Sequence, residues 1–427
     1  MRKIKIAVVG YGNRGGVYAS YALSRPEEAE ICAVVDCLEF KLKEAGALFG
    51  LPEDRLFLSL DEFLKANVEC DIVVNATMDQ MHYETAMAIL EKGYNMLLEK
   101  PITADKNELL AIEKKAKEKG VYLFVCHVMR YSPYFVEIKR LINKGVIGEI
   151  FALEMNEHVS AGHFVNSYVR GRWHSEAECG SSFLLAKCCH DLDLMCWLNN
   201  KSEPKAVSSF GSRGYFKPEF APEDSAEYCY DCPRLHTCMY SAKLMHLDND
   251  SAPYVTWEGI KKPLDEITKE EKIAYLKTSI FGQCVYKIDT DLVDRQCVSV
   301  NFANGSVGTL NMIGGTTRGG RNIHITGSKG EIEGYWESSE FVLRIYNANL
   351  QEYAEKRISV KDKLTNTGHM GSDFEIMKSI VAYLNGDRES VSITSIDDSI
   401  NGHLCVYAAD ESRKEGRIVF LEEYKQL

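Results

Sequence analysis

The sequence predicts two folding units in series, an α/β unit with a doubly wound parallel sheet followed by an α+β unit. Three observations predict this. Short apolar runs at 4–9, 31–35, 71–76, 94–98 and 122–125 alternate with helix-compatible stretches up to residue 23, at 80–91 and at 104–117, as parallel strands joined by crossover helices require. Beyond residue 125 the period changes. A helix at 133–144 places Ile138, Leu141 and Ile142 on one side, stops at Gly145 and leads into an alternating strand at 149–158. Finally, 296–302 and 306–312 flank Asn304-Gly305 as a β-hairpin. At 427 residues the chain exceeds the usual span of one core. The reading is therefore a first domain over 1–125 and a second over 126–427, with an insertion near 200–290.

The first apolar run ends in Gly10-Tyr11-Gly12-Asn13-Arg14-Gly15 and a helix follows at once. In a strand–turn–helix of this kind Gly10 permits the tight turn, Gly12 leaves room for a pyrophosphate, and Gly15 lets the helix sit close to the strand. The phosphates then meet the helix N-terminus opened by Asn13 and Arg14. The second strand ends at Asp36, 21 residues after Gly15, where a carboxylate accepts hydrogen bonds from an adenosine ribose diol and repels a 2′-phosphate. That favours NAD over NADP, with Arg14 pulling slightly the other way; capping of a turn is the plainer role for Asp36. Ligands of such sheets bind beyond the carboxyl ends of the strands, so Ala76-Thr77 and Glu99-Lys100-Pro101 are expected to line the cleft. A lysine held between Glu99 and Pro101 at a strand end is not an ordinary surface lysine.

These residues resemble the glucose-fructose oxidoreductase and inositol dehydrogenase family, Gfo/Idh/MocA, over nearly the whole chain. The resemblance rests on the glycine turn, on Ala76-Thr77 followed by His82, on Leu98-Glu99-Lys100-Pro101, and on His190-Asp191-Leu192-Asp193 with Trp197-Leu198. It implies a Rossmann domain, then a domain with a large open, mainly antiparallel sheet whose face meets the nicotinamide, and reversible oxidation of a sugar or cyclitol hydroxyl. It also implies a homodimer or homotetramer. Further strands at 322–326 and 341–346 fit an α+β second domain, and two helices at 372–384 and 395–415 are expected to pack against its sheet or against the first domain.

Oxidising a secondary alcohol needs a base for the hydroxyl proton and a fixed geometry at the carbinol carbon. By resemblance His190 takes the proton, Lys100 hydrogen-bonds the same oxygen, and Asp193 orients His190 or binds a substrate hydroxyl. His82 and Glu99 join the cofactor set on the same basis. One departure stands out: many family members carry Asp four residues before this histidine, and this chain has Ala186 there with Lys187 beside it. Lys187 either adds a second cation to the pocket, which favours an anionic substrate, or points to solvent. Arg130 and Tyr131, next to His127 just past a strand, and Arg172 and Trp173, next to His174, complete the expected substrate surface.

A formal charge of −12 opposes nucleic-acid binding, and no apolar run reaches the roughly 18 residues of a membrane span. The N-terminus runs straight into a strand without a cleavable signal pattern, so the reading is cytoplasmic. Fourteen cysteines suit a reducing compartment. Cys229, Cys232 and Cys238 are a candidate structural zinc site, with Cys284 or His236 as fourth ligand; reduced thiols packing a loop is the alternative. The expected partner is a small carbohydrate-like substrate. Two other functions fit the same core: a glycosidase or lyase that uses NAD without net turnover, and a nonenzymatic sensor, which intact Lys100 and His190 argue against.

Overall fold

The computed structural model describes residues 2–250, 252–364 and 368–425. The first unit contains β1 (Ile4–Val9), β2 (Ala29–Val35), β3 (Leu56–Phe57), β4 (Ile72–Asn75), β5 (Met96–Leu98) and β6 (Leu123–Val125). They form one parallel sheet in the order β3-β2-β1-β4-β5-β6. Apolar residues run continuously along these strands because both faces are covered. In β1, Ile4, Ile6 and Val8 join the core beneath Tyr18 and Tyr21, whereas Ala7 and Val9 join the core that holds Ile89 and Leu109.

The second unit contains β7 (Ile150–Ser160), β8 (Pro204–Ser212), β9 (Arg295–Phe302), β10 (Val307–Thr316), β11 (Gly320–Gly327), β12 (Gly330–Tyr335), β13 (Glu340–Asn347), β14 (Glu352–Ser359) and β15 (Val419–Phe420). Their order is β14-β13-β12-β11-β7-β10-β9-β8-β15, and only the β7–β10 pair is parallel. The expected Rossmann unit and the large, mainly antiparallel sheet are thus both present. One face of this sheet buries Leu153, Met155, Val298, Val300, Leu310, Met312, Ile323 and Ile325 against the helices Cys189–Leu198 and Ile396–Glu415; the alternate residues face outward.

Two features position the site. The helix Ser372–Leu384 returns to the first sheet, where Ile376, Met377, Ile380 and Val381 pack with Tyr18 and Tyr21. Val125 N donates to Thr394 O at 2.8 Å, tying the tail to the end of β6. The segment between β8 and β9, by contrast, holds few regular elements and builds its own small core from Ala242, Trp257, Leu276 and Phe281. Among the described residues no helix is long and apolar enough to cross a membrane.

Candidate active site

The glycine turn has the shape a dinucleotide needs. Gly10 sits at φ +84°, and a Cβ there would lie 2.6 Å from Ala76 O, so only glycine fits. At Gly15 a Cβ would lie 2.0 Å from Gly10 O, so this glycine sets the contact between helix and turn. A Cβ on Gly12 would meet, among the described residues beyond its chain neighbours, only Lys41 Nζ at 4.0 Å. Gly12 caps the helix Asn13–Ser24 without a side-chain acceptor, which leaves the first N–H groups available to a phosphate.

Asp36 does cap a turn: Leu38 N donates to its Oδ1 at 2.9 Å. Arg14 is not free for a 2′-phosphate. Its Nε donates to Glu99 Oε1 at 2.8 Å, and its terminal nitrogens donate to Asp373 at 2.7 and 3.1 Å. Glu99 also accepts from Tyr18 Oη and Lys100 N. Burial pushes its carboxyl up, but Arg14 and Lys100 outweigh burial and hold it below the usual range. Glu99 is therefore a support under Lys100. His82 is also a support. It is fully buried, with Nδ1 2.6 Å from Pro101 O and Nε2 3.1 Å from Thr77 O, and it pins the loops after β4 and β5 to each other. Thr77 leans on Asn75 through Oγ1 at 2.9 Å.

Lys100, half-buried at the end of β5, reaches across to the second unit. Its Nζ donates to Ala186 O at 2.8 Å and stands 5.6 Å from the centre of the Trp173 ring. The chain makes a π-helical turn at Leu184–Cys188 before the helix Cys189–Leu198; such wide turns recur at functional sites, and this one presents the Ala186 carbonyl to Lys100. His190 follows in the first turn of the helix. It is 7% exposed, and burial with the Lys100 ammonium holds its imidazole well below the usual pKa. Trp173 is fixed by its Nε1, which donates to Asp79 Oδ2 at 2.8 Å, a carboxylate that Ser181 also supports. Arg172, on the exposed side, meets Glu258 and Met78.

The structure redirects the readings of Asp193, Arg130 and Tyr131. Asp193 does not turn toward His190. Its carboxylate is gripped by Arg130, Nε to Oδ2 at 2.7 Å and NH2 to Oδ1 at 2.5 Å, with His127 Nε2 3.6 Å away. Arg130 is fully buried, so it is a partner for Asp193 and not a substrate contact. Tyr131 is buried too, and its hydroxyl is paired with Thr394. Sequence proximity to His190 and to a strand end was misleading, because these side chains point into the protein.

Lys187 is neither in solvent nor a free cation. It lies 3.2 Å from Glu157 Oε1, and Glu157 Oε2 lies 3.1 Å from Arg321, which donates to Asp191 at 2.8 Å. Glu157 and Arg321 were not anticipated, although a signal existed: each is a charged residue on the inward phase of a strand, beside Met155 and Ile323. The zinc expectation is not supported. Cys229, Cys232, Cys238 and Cys284 do line one small cavity, into which the buried Arg170 donates to Cys229 Sγ at 3.3 Å. Yet among the described residues no group of three or more His, Cys, Asp or Glu is placed to hold a metal ion.

The Gfo/Idh/MocA NAD-binding Rossmann profile matches residues 4–127, and the family's C-terminal α/β profile matches 139–421. The chain belongs to the Gfo/Idh/MocA oxidoreductase family. It is 24% identical over 326 residues to YteT of Bacillus subtilis (strain 168), named only as an oxidoreductase, spanning 74% of this chain and 72% of the relative. It is 27% identical over 206 residues to the scyllo-inositol 2-dehydrogenase (NADP(+)) IolW of the same strain, covering 48% of this chain and 54% of IolW, so it spans about half of that relative. A levoglucosan dehydrogenase solved with NADH and levoglucosan shares the fold, with a TM-score of 0.69 at 17% identity over 98% of this chain and 99% of that one.

Proposed function

We propose that the protein is an NAD-dependent dehydrogenase that oxidises, and in reverse reduces, a secondary hydroxyl of a sugar, sugar derivative or cyclitol. The observation that carries this reading is the reach of Lys100 from the end of β5 to the turn that leads into His190. When bound, a nicotinamide supplies the hydride acceptor. His190, neutral through burial, takes the hydroxyl proton. Lys100 donates to the same oxygen and offsets the charge that develops on it. Trp173, held by Asp79, offers an apolar face beside Lys100. The chain from Lys187 through Glu157 and Arg321 to Asp191 sets two cations against two carboxylates. That balance supports a neutral, hydroxyl-rich ligand over a phosphorylated one. The outward face of the nine-stranded sheet exposes Phe210, Val307 and Ile313, which supports pairing with a second copy.

The experiment is a screen of the protein with NAD against free sugars, cyclitols and aryl glycosides, following NADH and released aglycone together. NADH is expected to appear with a free polyol. Aglycone released without net NADH would replace this reading with the redox-assisted glycosidase.

The NAD preference is tested separately. Asp36→Asn keeps the Oδ1 acceptor for Leu38 N but removes the charge that opposes a 2′-phosphate. The ratio of NADPH to NADH affinity is expected to rise about tenfold, the order of one charge-assisted contact. An unchanged ratio in direct titrations would assign the discrimination to another residue.

A further inference from the structure

Arg170 is a buried cation that the chemistry around Lys100 does not use. It closes the π-helical turn Val165–Val169 and is fully buried. A guanidinium cannot shed its proton, and an interior charge without a counter-charge is costly. Among the described residues its nitrogens meet no carboxylate; they donate to Gln283 O at 2.9 Å, Met245 Sδ at 3.9 Å and Cys229 Sγ at 3.3 Å. The groups that oppose the effect of burial on its charge are the thiols of Cys229, Cys284 and Cys238.

Those sulfurs share one place. Cys229, Cys232, Cys238 and Cys284 line a single small cavity with Arg170. Tyr228 pairs with Gln283, and Cys284 N donates to Glu227 O at 2.8 Å, which sets Cys284 beside the 3₁₀ turn Cys229–Asp231. Cys232 stands at the end of that turn, its N donating to Cys229 O at 3.2 Å. Cys229 is buried and the other three are half-buried. A cation beside a sulfur favours the thiolate, the nucleophilic and oxidisable form, and Cys229 is the sulfur that accepts from the guanidinium. Burial pushes the Cys284 thiol up. A fixed positive charge among the sulfurs also opposes a metal cation.

We infer that Cys229 is a redox-sensitive modification site, oxidised by hydrogen peroxide and closed onto Cys232 as a disulfide, and that this closure releases Arg170. The Cys229 thiolate attacks a peroxide oxygen: an S–O bond forms, the O–O bond breaks, the sulfur gives up two electrons, and the departing hydroxide takes a proton to become water. Cys232 then loses its thiol proton and attacks the Cys229 sulfur; an S–S bond forms, the S–O bond breaks, and the hydroxide leaves with that proton as a second water. A disulfide sulfur is neutral and no longer balances the guanidinium. Arg170 lies three residues before Trp173, whose N donates to Ser167 O at 3.2 Å within the same turn, so its release loosens the segment that carries the ring beside Lys100. The inference does not rest on the dehydrogenase reading.

The full-length protein, analysed for metal, is exposed to hydrogen peroxide, alkylated and read by peptide mass spectrometry, with the exposed Cys37 and Cys297 as internal references. The Cys229–Cys232 disulfide is expected to form about tenfold faster than either reference is oxidised and to be reversed by a thiol reductant. In Cys232→Ser a sulfenic acid on Cys229, trapped by a cyclic 1,3-dione, is expected in its place. Hydrogen exchange over residues 165–173 is expected to rise on oxidation. Oxidation of Cys37 and Cys297 with Cys229 still reduced would overturn the inference, as would about one metal ion per chain holding the four thiols reduced. A disulfide from Cys229 to Cys238 or Cys284 would overturn the pairing with Cys232, and unchanged exchange over 165–173 in the disulfide form would overturn the release of Arg170.

Discussion

Lys100→Met is expected to lower turnover about a thousandfold while leaving the dissociation constant for NADH within about threefold. Methionine keeps the length and apolar character of the lysine stem beside Trp173, so packing is little disturbed. What is lost is the ammonium that donates to Ala186 O and, in the proposed chemistry, to the reacting oxygen. Removing one preorganised donor from a developing oxyanion costs roughly 10²–10³ in rate, and loss of charge beside the base adds to that. The pH profile gives a second reading of the same site. Groups acting on His190 include Lys100, His127, Arg321 and His369, and burial dominates them in keeping the imidazole neutral. A lowered pKa leaves the base available as pH falls, so the acid limb of kcat/KM is expected below about 6.5, the ordinary histidine value. A fully active Lys100→Met variant would remove Lys100 from the chemistry; an acid limb above that value would remove His190.

What the sequence disclosed was governed by how local each signal is. The parallel sheet was legible because strands buried on both faces read as continuous apolar runs, and the glycine turn because each glycine answers a backbone requirement within one short segment. Strand β14 was not legible: Glu352–Ser359 is exposed at nearly every position, so no alternation marks it. The support under Lys100 was invisible for another reason. Arg14 and Asp373 are 359 positions apart, and although a tail helix against the sheet or the first domain was expected, nothing in either neighbourhood announces this ion pair. Glu157 and Arg321 fall between these cases, since a charge on the inward phase of an apolar strand demands a buried partner, and each supplies part of the other's. Asp193 shows the opposite failure. Its spacing from His190 on one helix suggested a shared task, but a spacing of three does not fix where a carboxylate points when a buried guanidinium competes for it.

That competition makes Asp193 the site of the largest expected stability change. Asp193 and Arg130 are each about 1% exposed and joined by two parallel hydrogen bonds. Arg130 cannot shed its proton, so Asp193→Asn leaves a guanidinium in the interior with little to balance it. Breaking one side of a buried pair costs about 3–5 kcal/mol, and urea unfolding of this variant is expected to show a loss of that size. The double variant Arg130→Met, Asp193→Leu replaces both charges with apolar groups and is expected to recover most of it, giving a coupling energy that the single variants cannot produce separately. A catalytic Asp193 makes the opposite forecast: Asp193→Asn would unfold like the parent while losing turnover. Since the carboxylate also lies 3.6 Å from His127 Nε2, and the His127 ring stands 5.6 Å from that of His190, a modest fall in turnover beside a large fall in stability is consistent with a positioning role. Activity lost at full stability is not.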